Sequence, residues 1–238
     1  MDIKEQDILG ADIGKHWYYR AKGEAMLAML DQAPVRHVLD VGAGSGVFSR
    51  LLLDRGADLA TCVDPGYPSD HIEAHGNKPI RFVRGVENAD ADTVLLMDVL
   101  EHVDDDVGLL RDYAARAPHA SRFLITVPAF KFLWSGHDVF LEHRRRYTLQ
   151  EMEGVVHDAG LKPALGCYFF GLVFPLAAGR RLVGRMLTGG GEAEAKSDLQ
   201  RHSPSVNDML YQICHAELGV FKANKTAGLS VFCLAVRK

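Results

Sequence analysis

The stretch VLDVGAGSGVFSR, Val38 to Arg50, carries the pattern on which the fold turns. A short aliphatic run ends in three alternating glycines, Gly42, Gly44 and Gly46, and the residues that follow have helical spacing. Glycines so placed let the backbone turn sharply, take positive φ and approach a ligand closely. The helix behind them offers unpaired N–H groups and the positive end of its dipole. Strand, glycine turn and helix in this order predict a ligand site at the strand ends of an open α/β sheet. The dinucleotide fingerprint is GxGxxG. Here the pattern is GxGxG, with Val47 where that fingerprint has its third glycine. Asp40, two residues before Gly42, disfavours a pyrophosphate and suits a cationic ligand.

Outward from this stretch, short apolar runs alternate with helical patterns. Strands are expected at 37–41, 59–64, 80–85, 92–98 and 121–128, and helices at 46–57 and 105–117. LKPALGCYFFG, from Leu161, reads as a sixth strand and GLSVFCLAVRK, from Gly228, as a last one. The expected fold class is α/β: a doubly wound, mostly parallel, seven-stranded Rossmann-like sheet with an antiparallel C-terminal strand. One domain spans 1–238. A helical arm precedes it at 1–35, ended by Pro34, and a lid-like helical insertion occupies 169–226. Within the insertion, 188–198 is glycine-rich and acidic and reads as a mobile loop, and 205–221 as a helix with Leu210, Ile213, Cys214 and Leu218 along one face.

The chain has 238 residues, 47% hydrophobic and 24% charged, an ordinary globular balance. Its net charge of −4 argues against a general nucleic-acid binder. Cys62, Cys167, Cys214 and Cys233 lie far apart with no zinc spacing, which predicts reduced, buried thiols in a cytoplasmic protein. The polar start MDIKEQDILG is no secretory signal. The longest uncharged apolar stretch, 163–179, is short for a membrane span and broken by Pro163, Pro175 and three glycines.

Aspartates close the strands next to the glycine loop. Asp64 ends the second, placed to accept ribose hydroxyls, and Asp98 ends the fourth and opens DVLEHV. The ordered set VLDVGAGSG, CVD and DVLEHV resembles the class I S-adenosylmethionine-dependent methyltransferases, in particular the small-molecule, ubiquinone-pathway-like group. The resemblance covers 37–128 well and the rest of the chain loosely. It implies that Asp40, Gly42, Ala43 and Gly44 form the methionine end of an S-adenosyl-L-methionine site, that Asp64 and Pro65 stand at the ribose, that Val86 and Glu87 border the adenine, and that Asp98 and Val99 hold the cofactor's amino end. The arm segment HWYYRAK, from His16, has two readings. Trp17 and Tyr18 pack on the sheet, or, as in a related group of these enzymes, they form a cofactor lid from which Arg20 pairs with the methionine carboxylate.

The implied reaction is methyl transfer to a small-molecule or lipid-like acceptor, with O-, N- and C-methylation left open. A base is needed only if the acceptor loses a proton. The candidates are His102, behind the DVLEHV loop, and His137 and His143, in the segment after the fifth strand. His137 with Asp138 reads as a base and its orienting partner, and His143 with Arg145 and Arg146 as a cradle for an anionic acceptor. The arginines otherwise pair with nearby carboxylates and shape the turn into a helix that Thr148 and Glu151 cap. That segment, EHRRRYT, resembles a family pattern GHxRRYT, with Glu142 in place of the glycine. No metal is expected, and a peripheral membrane contact through 165–188 is. Two other classes compete: an NAD-linked oxidoreductase, and a non-catalytic cofactor-binding regulatory protein.

Overall fold

A computed structural model describes residue 5 and residues 8–31, 33–187 and 195–238. The first strand, β1 (His37–Val41), is buried on both faces, as a central parallel strand must be. β2 (Leu59–Val63) and β5 (Thr93–Met97) flank it in parallel. β4 (Lys78–Val83) lies parallel outside β2, and β6 (Arg122–Pro128) parallel outside β5. β8 (Ser230–Arg237) runs antiparallel between β6 and β7 (Leu161–Phe169). With β3 (His71–His75) the sheet has eight strands in the order β3-β4-β2-β1-β5-β6-β8-β7.

The eighth strand corrects the expected seven. β3 is exposed along almost its whole length and joins β4 antiparallel through Gly76-Asn77, where Gly76 takes φ +62°. HIEAH buries neither face, so it has no apolar alternation to betray a strand.

Helices cover both sheet faces. The arm forms a 3₁₀ turn (Gly10–Lys15) and then α1 (Trp17–Leu30), which His16 caps by accepting from Tyr18 N–H. Met26, Met29 and Ala25 of α1, with Phe48 and Leu52 of α2 (Val47–Asp54), build one core. α3 (Asp106–Arg116) contributes Leu110 and Tyr113 to the other, beneath Val94, Leu96 and Phe123. α4 (Gly136–Phe140) and α5 (Leu149–Asp158) follow β6, and the Thr148/Glu151 capping box starts α5 as expected. All four cysteines are buried and free.

The insertion holds α6 (Phe174–Leu187) and α7 (Pro204–Glu217). α7 buries Tyr211, Cys214 and Glu217 and packs along α1. The expected face holds at Cys214 and Leu218, which join the core, and fails at Ile213, which is exposed, with Glu217 turned inward. The reason is polar: the Glu217 carboxylate accepts from the backbone N–H of Gly171 and Leu172 and is drawn inward. Most of the glycine-rich acidic stretch, 188–194, lies outside the described residues. No helix among the described residues is long and apolar enough to cross a membrane.

Candidate active site

Every sharp turn of the site lies at the strand C-terminal ends. Gly42, Gly44 and Gly46 take φ +64°, +52° and +70°, which a side chain would strain. Gly42 N–H donates to Val63 O (2.7 Å), tying the loop to β2. Asp64 accepts from Gly44 N–H (3.2 Å) and Gly66 N–H (2.9 Å), and Tyr67 O–H donates to Gly44 O (2.6 Å). Ala43 is buried in the loop, and exposed Pro65 follows Asp64 into the next turn. Val86 and exposed Glu87 stand beyond β4 on the same side of the sheet; Val86 O accepts from Arg116 (2.5 Å).

Asp40 is buried beneath this loop. Its Oδ2 accepts from Ser49 O–H (2.8 Å), while Oδ1 has no partner among the described residues. Burial pushes its carboxyl up to about 6. A buried, orphaned oxygen under a glycine cradle is what a polar, cation-bearing cofactor end would satisfy.

The arm settles differently from the expectation at Arg20. The guanidinium donates to Asp208 of α7 (2.7 Å) and lies 3.7 Å over the Tyr211 ring. The arm cation that meets Asp98 is Lys22, whose ammonium is fully buried and pairs with Asp98 Oδ2. Helix geometry explains the exchange. Residues 18 and 22 share a face, whereas residue 20 lies on the opposite side. Tyr18 O–H also donates to Asp98 Oδ2 (3.3 Å), and its ring stacks on Phe170. Burial alone draws the Lys22 ammonium down, but the Asp98 carboxylate overrides it and holds it above its ordinary range; Asp98 is held below its own range in return. Asp98, half-buried beside Val99, adopts φ +56° and is pinned by Thr126, whose O–H donates to Asp98 Oδ1 (3.1 Å). Lys22 was missed because a lysine on a helix is ordinarily a solvent-facing side chain, and nothing local marks this one as buried.

A cavity of about 430 Å³ opens over Asp98. Trp17, Tyr18, Glu101, His102, His137 and His143 face it, and Val173, Leu176 and Ala177 give it an apolar wall. The three candidate histidines therefore converge. Their partners differ from the expected ones. Asp138, completely buried, accepts from His143 Nδ1–H (2.9 Å), from Arg146 Nε–H (2.6 Å) and Nη2–H (3.0 Å), and from Ser135 N–H (2.8 Å). Despite its burial these donors hold its carboxyl well below the usual range. Asp138 thus orients His143, not His137. His137 Nδ1 accepts from Asp198 N–H (3.2 Å), and burial lowers its pKa to about 4, so it is neutral at pH 7.

The arginines brace the site. Arg144 donates to His102 O (2.9 Å) and Asp104 (2.9 Å), and Arg145 to Asp106 (3.1 Å) and Asp104 O (2.8 Å). Tyr147 O–H donates to Leu100 O (3.1 Å) and Asp106 (2.8 Å). Arg145 and Arg146 are thereby committed to carboxylates rather than to an anionic acceptor. Glu142 takes φ +59°, a left-handed conformation that a glycine adopts without strain.

A family model described as a methyltransferase domain matches residues 15–164, and the chain belongs to that family. It is a methyltransferase whose cofactor is S-adenosyl-L-methionine, and the oxidoreductase and non-catalytic alternatives fall away. Among solved structures, a SAM-dependent methyltransferase from Archaeoglobus fulgidus aligns at TM-score 0.53 and 16% identity over 99% of this chain and 98% of that one. A cyclopropane-fatty-acyl-phospholipid synthase-like protein from Lactobacillus casei aligns at 0.53 and 13% over 97% and 95%. The Haemonchus contortus phosphoethanolamine N-methyltransferase 2, in complex with phosphomonomethylethanolamine and S-adenosylhomocysteine, aligns at 0.53 and 14% over 100% of this chain and 61% of that one. At these identities the likeness concerns the fold. A search of curated proteins finds no significant match.

Proposed function

We propose that the enzyme methylates a hydroxyl of a small, partly apolar acceptor bound in the 430 Å³ cavity, with His143 taking the hydroxyl proton. The carrying observation is the Asp138–His143 pair, 2.9 Å apart, opening into the cavity that Asp98 floors. S-adenosylmethionine supplies a methyl group on a sulfonium centre. Asp40, the glycine loop and Asp64 hold its methionine and ribose parts and Asp98 its ammonium; Tyr18 closes over it, and Lys22 braces Asp98 from behind. Asp138 fixes the imidazole tautomer by accepting the Nδ1 proton, which leaves Nε2 as the base. Its negative charge then stabilises the imidazolium formed. Val173 and Ala177 give the acceptor an apolar wall, and alignment for in-line transfer depends on that fit.

Turnover on a panel of phenols, alcohols and amines tests this. His143→Ala should lower kcat by about 10²–10⁴-fold, the scale of general-base catalysis. Methylation of amines alone, with full activity in His143→Ala, would refute it. The same proposal includes a lipid-like acceptor and a peripheral membrane contact within 165–188. Leu172, Leu176, Leu182 and Val183 support this by being exposed on one helix and its approach. Liposome co-sedimentation without binding removes that part.

A further inference from the structure

Glu101 is the least explained group in the molecule. It is fully buried on the cavity wall, and neither carboxylate oxygen has a hydrogen-bond partner among the described residues. A buried carboxylate normally finds donors or a cation. Beside it stand two imidazoles. One ligand atom each from Glu101, His102 and His143 lie within 4.8 Å of one another, and the two rings meet edge to face with centroids 4.9 Å apart.

We propose that Glu101, His102 and His143 bind a divalent transition-metal ion of the zinc class. One carboxylate and two imidazoles are a donor set that such ions prefer over magnesium or calcium, which take oxygen ligands. Ligands about 2.1 Å from a tetrahedral ion stand about 3.4 Å apart, so small side-chain adjustments close the observed triangle. The backbone is already fixed for it. Arg144 N–H donates to Glu101 O (2.7 Å), and the Arg144 side chain donates to His102 O, which locks the 100–102 turn against the segment bearing His143. Asp138 supplies what metal-bound histidines require behind them: it accepts the Nδ1 proton of His143 and leaves Nε2 for the ion. Asp138 itself is no ligand, because Arg146, Ser135 and His143 consume it.

Three protein ligands leave a coordination position facing the cavity. This use of the site rests on the cavity's being the acceptor site. In the metal-loaded enzyme the ion would stand in for the His143 base, whose Nε2 it occupies: the acceptor O–H bond would break, its proton would pass to solvent water, and the oxygen would keep the electron pair as an anion stabilised by the ion.

The test uses untagged, chelator-treated full-length enzyme titrated with Co²⁺, followed by its visible absorption, and with Zn²⁺, followed by equilibrium dialysis. One ion per chain is expected, with the band intensity of a four- or five-coordinate site. Glu101→Gln and His102→Ala should each weaken binding at least 100-fold, and Asp138→Asn, which keeps all three ligands, by about 10–100-fold. Circular dichroism identifies any variant that fails to fold, and the other then decides. No stoichiometric binding, or binding unchanged in Glu101→Gln and His102→Ala, overturns the site. Turnover distinguishes this from failure of the acceptor reading. Stoichiometric metal binding with methylation of amines alone sinks the hydroxyl reading and leaves the site. Full turnover by metal-free enzyme, with no ion bound, sinks only the site.

Discussion

Replacing Lys22 by methionine tests the arm's part in the site. The substitution keeps the stem's volume and removes the ammonium that Asp98 faces. Removing one partner of a fully buried ion pair costs about 3–5 kcal/mol, because the other charge stays desolvated and unpaired. Asp98 keeps 24% of its side chain exposed to the cavity, while Lys22 keeps none. Water relieves the stranded carboxylate in Lys22→Met, so about 3 kcal/mol is expected, the low end. In Asp98→Asn the stranded group is an ammonium with no access to water, and the loss belongs at the high end. The double variant strands no charge and should lose far less than the sum of the two single losses. For a chain of this length each kcal/mol moves Tm by about 2–4 °C, so Lys22→Met should melt roughly 6–12 °C lower. The sign with pH is fixed too. Asp98 is held below its ordinary pKa by Lys22, so the pair stabilises at neutral pH and fades in acid. The Lys22→Met deficit therefore shrinks as pH falls and the unpaired Asp98 takes up a proton. Urea denaturation of the four-member cycle and thermal melting read these quantities. Wild-type stability in Lys22→Met, or strictly additive losses in the double variant, would refute the reasoning.

Three further outcomes are expected. Asp64→Ala should weaken cofactor binding by about 1.5–3 kcal/mol; because Asp64 also holds the Gly44 and Gly66 N–H groups, melting curves must accompany the calorimetry, and unchanged affinity rejects the ribose assignment. Glu142→Gly should stabilise the protein by about 1 kcal/mol, since φ +59° strains any residue with a Cβ; a loss in urea denaturation contradicts this. Asp40 holds its proton up to about pH 6 in the folded chain, against 3.8 when unfolded, so its contribution to stability falls by about 2 kcal/mol as pH rises from 4 to 7. Asp40→Asn should lack that decline, and a wild-type-to-variant difference that stays constant with pH disproves it.

Some features of the fold were legible because they are local. The three glycines need positive φ and could be read directly, as could the Thr148-to-Glu151 capping box, which the structure reproduces with Glu151 N–H donating to Thr148 Oγ1 at 3.2 Å. The buried parallel strands announced themselves as apolar runs. β3 did not, because an exposed edge hairpin has no hydrophobic alternation to display. On α7 the expected face omitted Glu217, because a buried glutamate carries no apolar signal for periodicity to find.

Sequence alone determined the class of this protein: the order of glycine loop and strand-end aspartates implies a methyl-donor site, since each element acts through its own few residues and the sheet's chirality sets them side by side. Tertiary structure alone decided the pairings. Arg20 faces Asp208 and Lys22 faces Asp98 because the helix rotates successive residues by about 100°. Asp138 serves His143 rather than its neighbour His137 because a five-residue helix and a left-handed turn at Glu142 fold the chain back on itself. Such contacts depend on directions in space, and adjacency along the chain does not encode them.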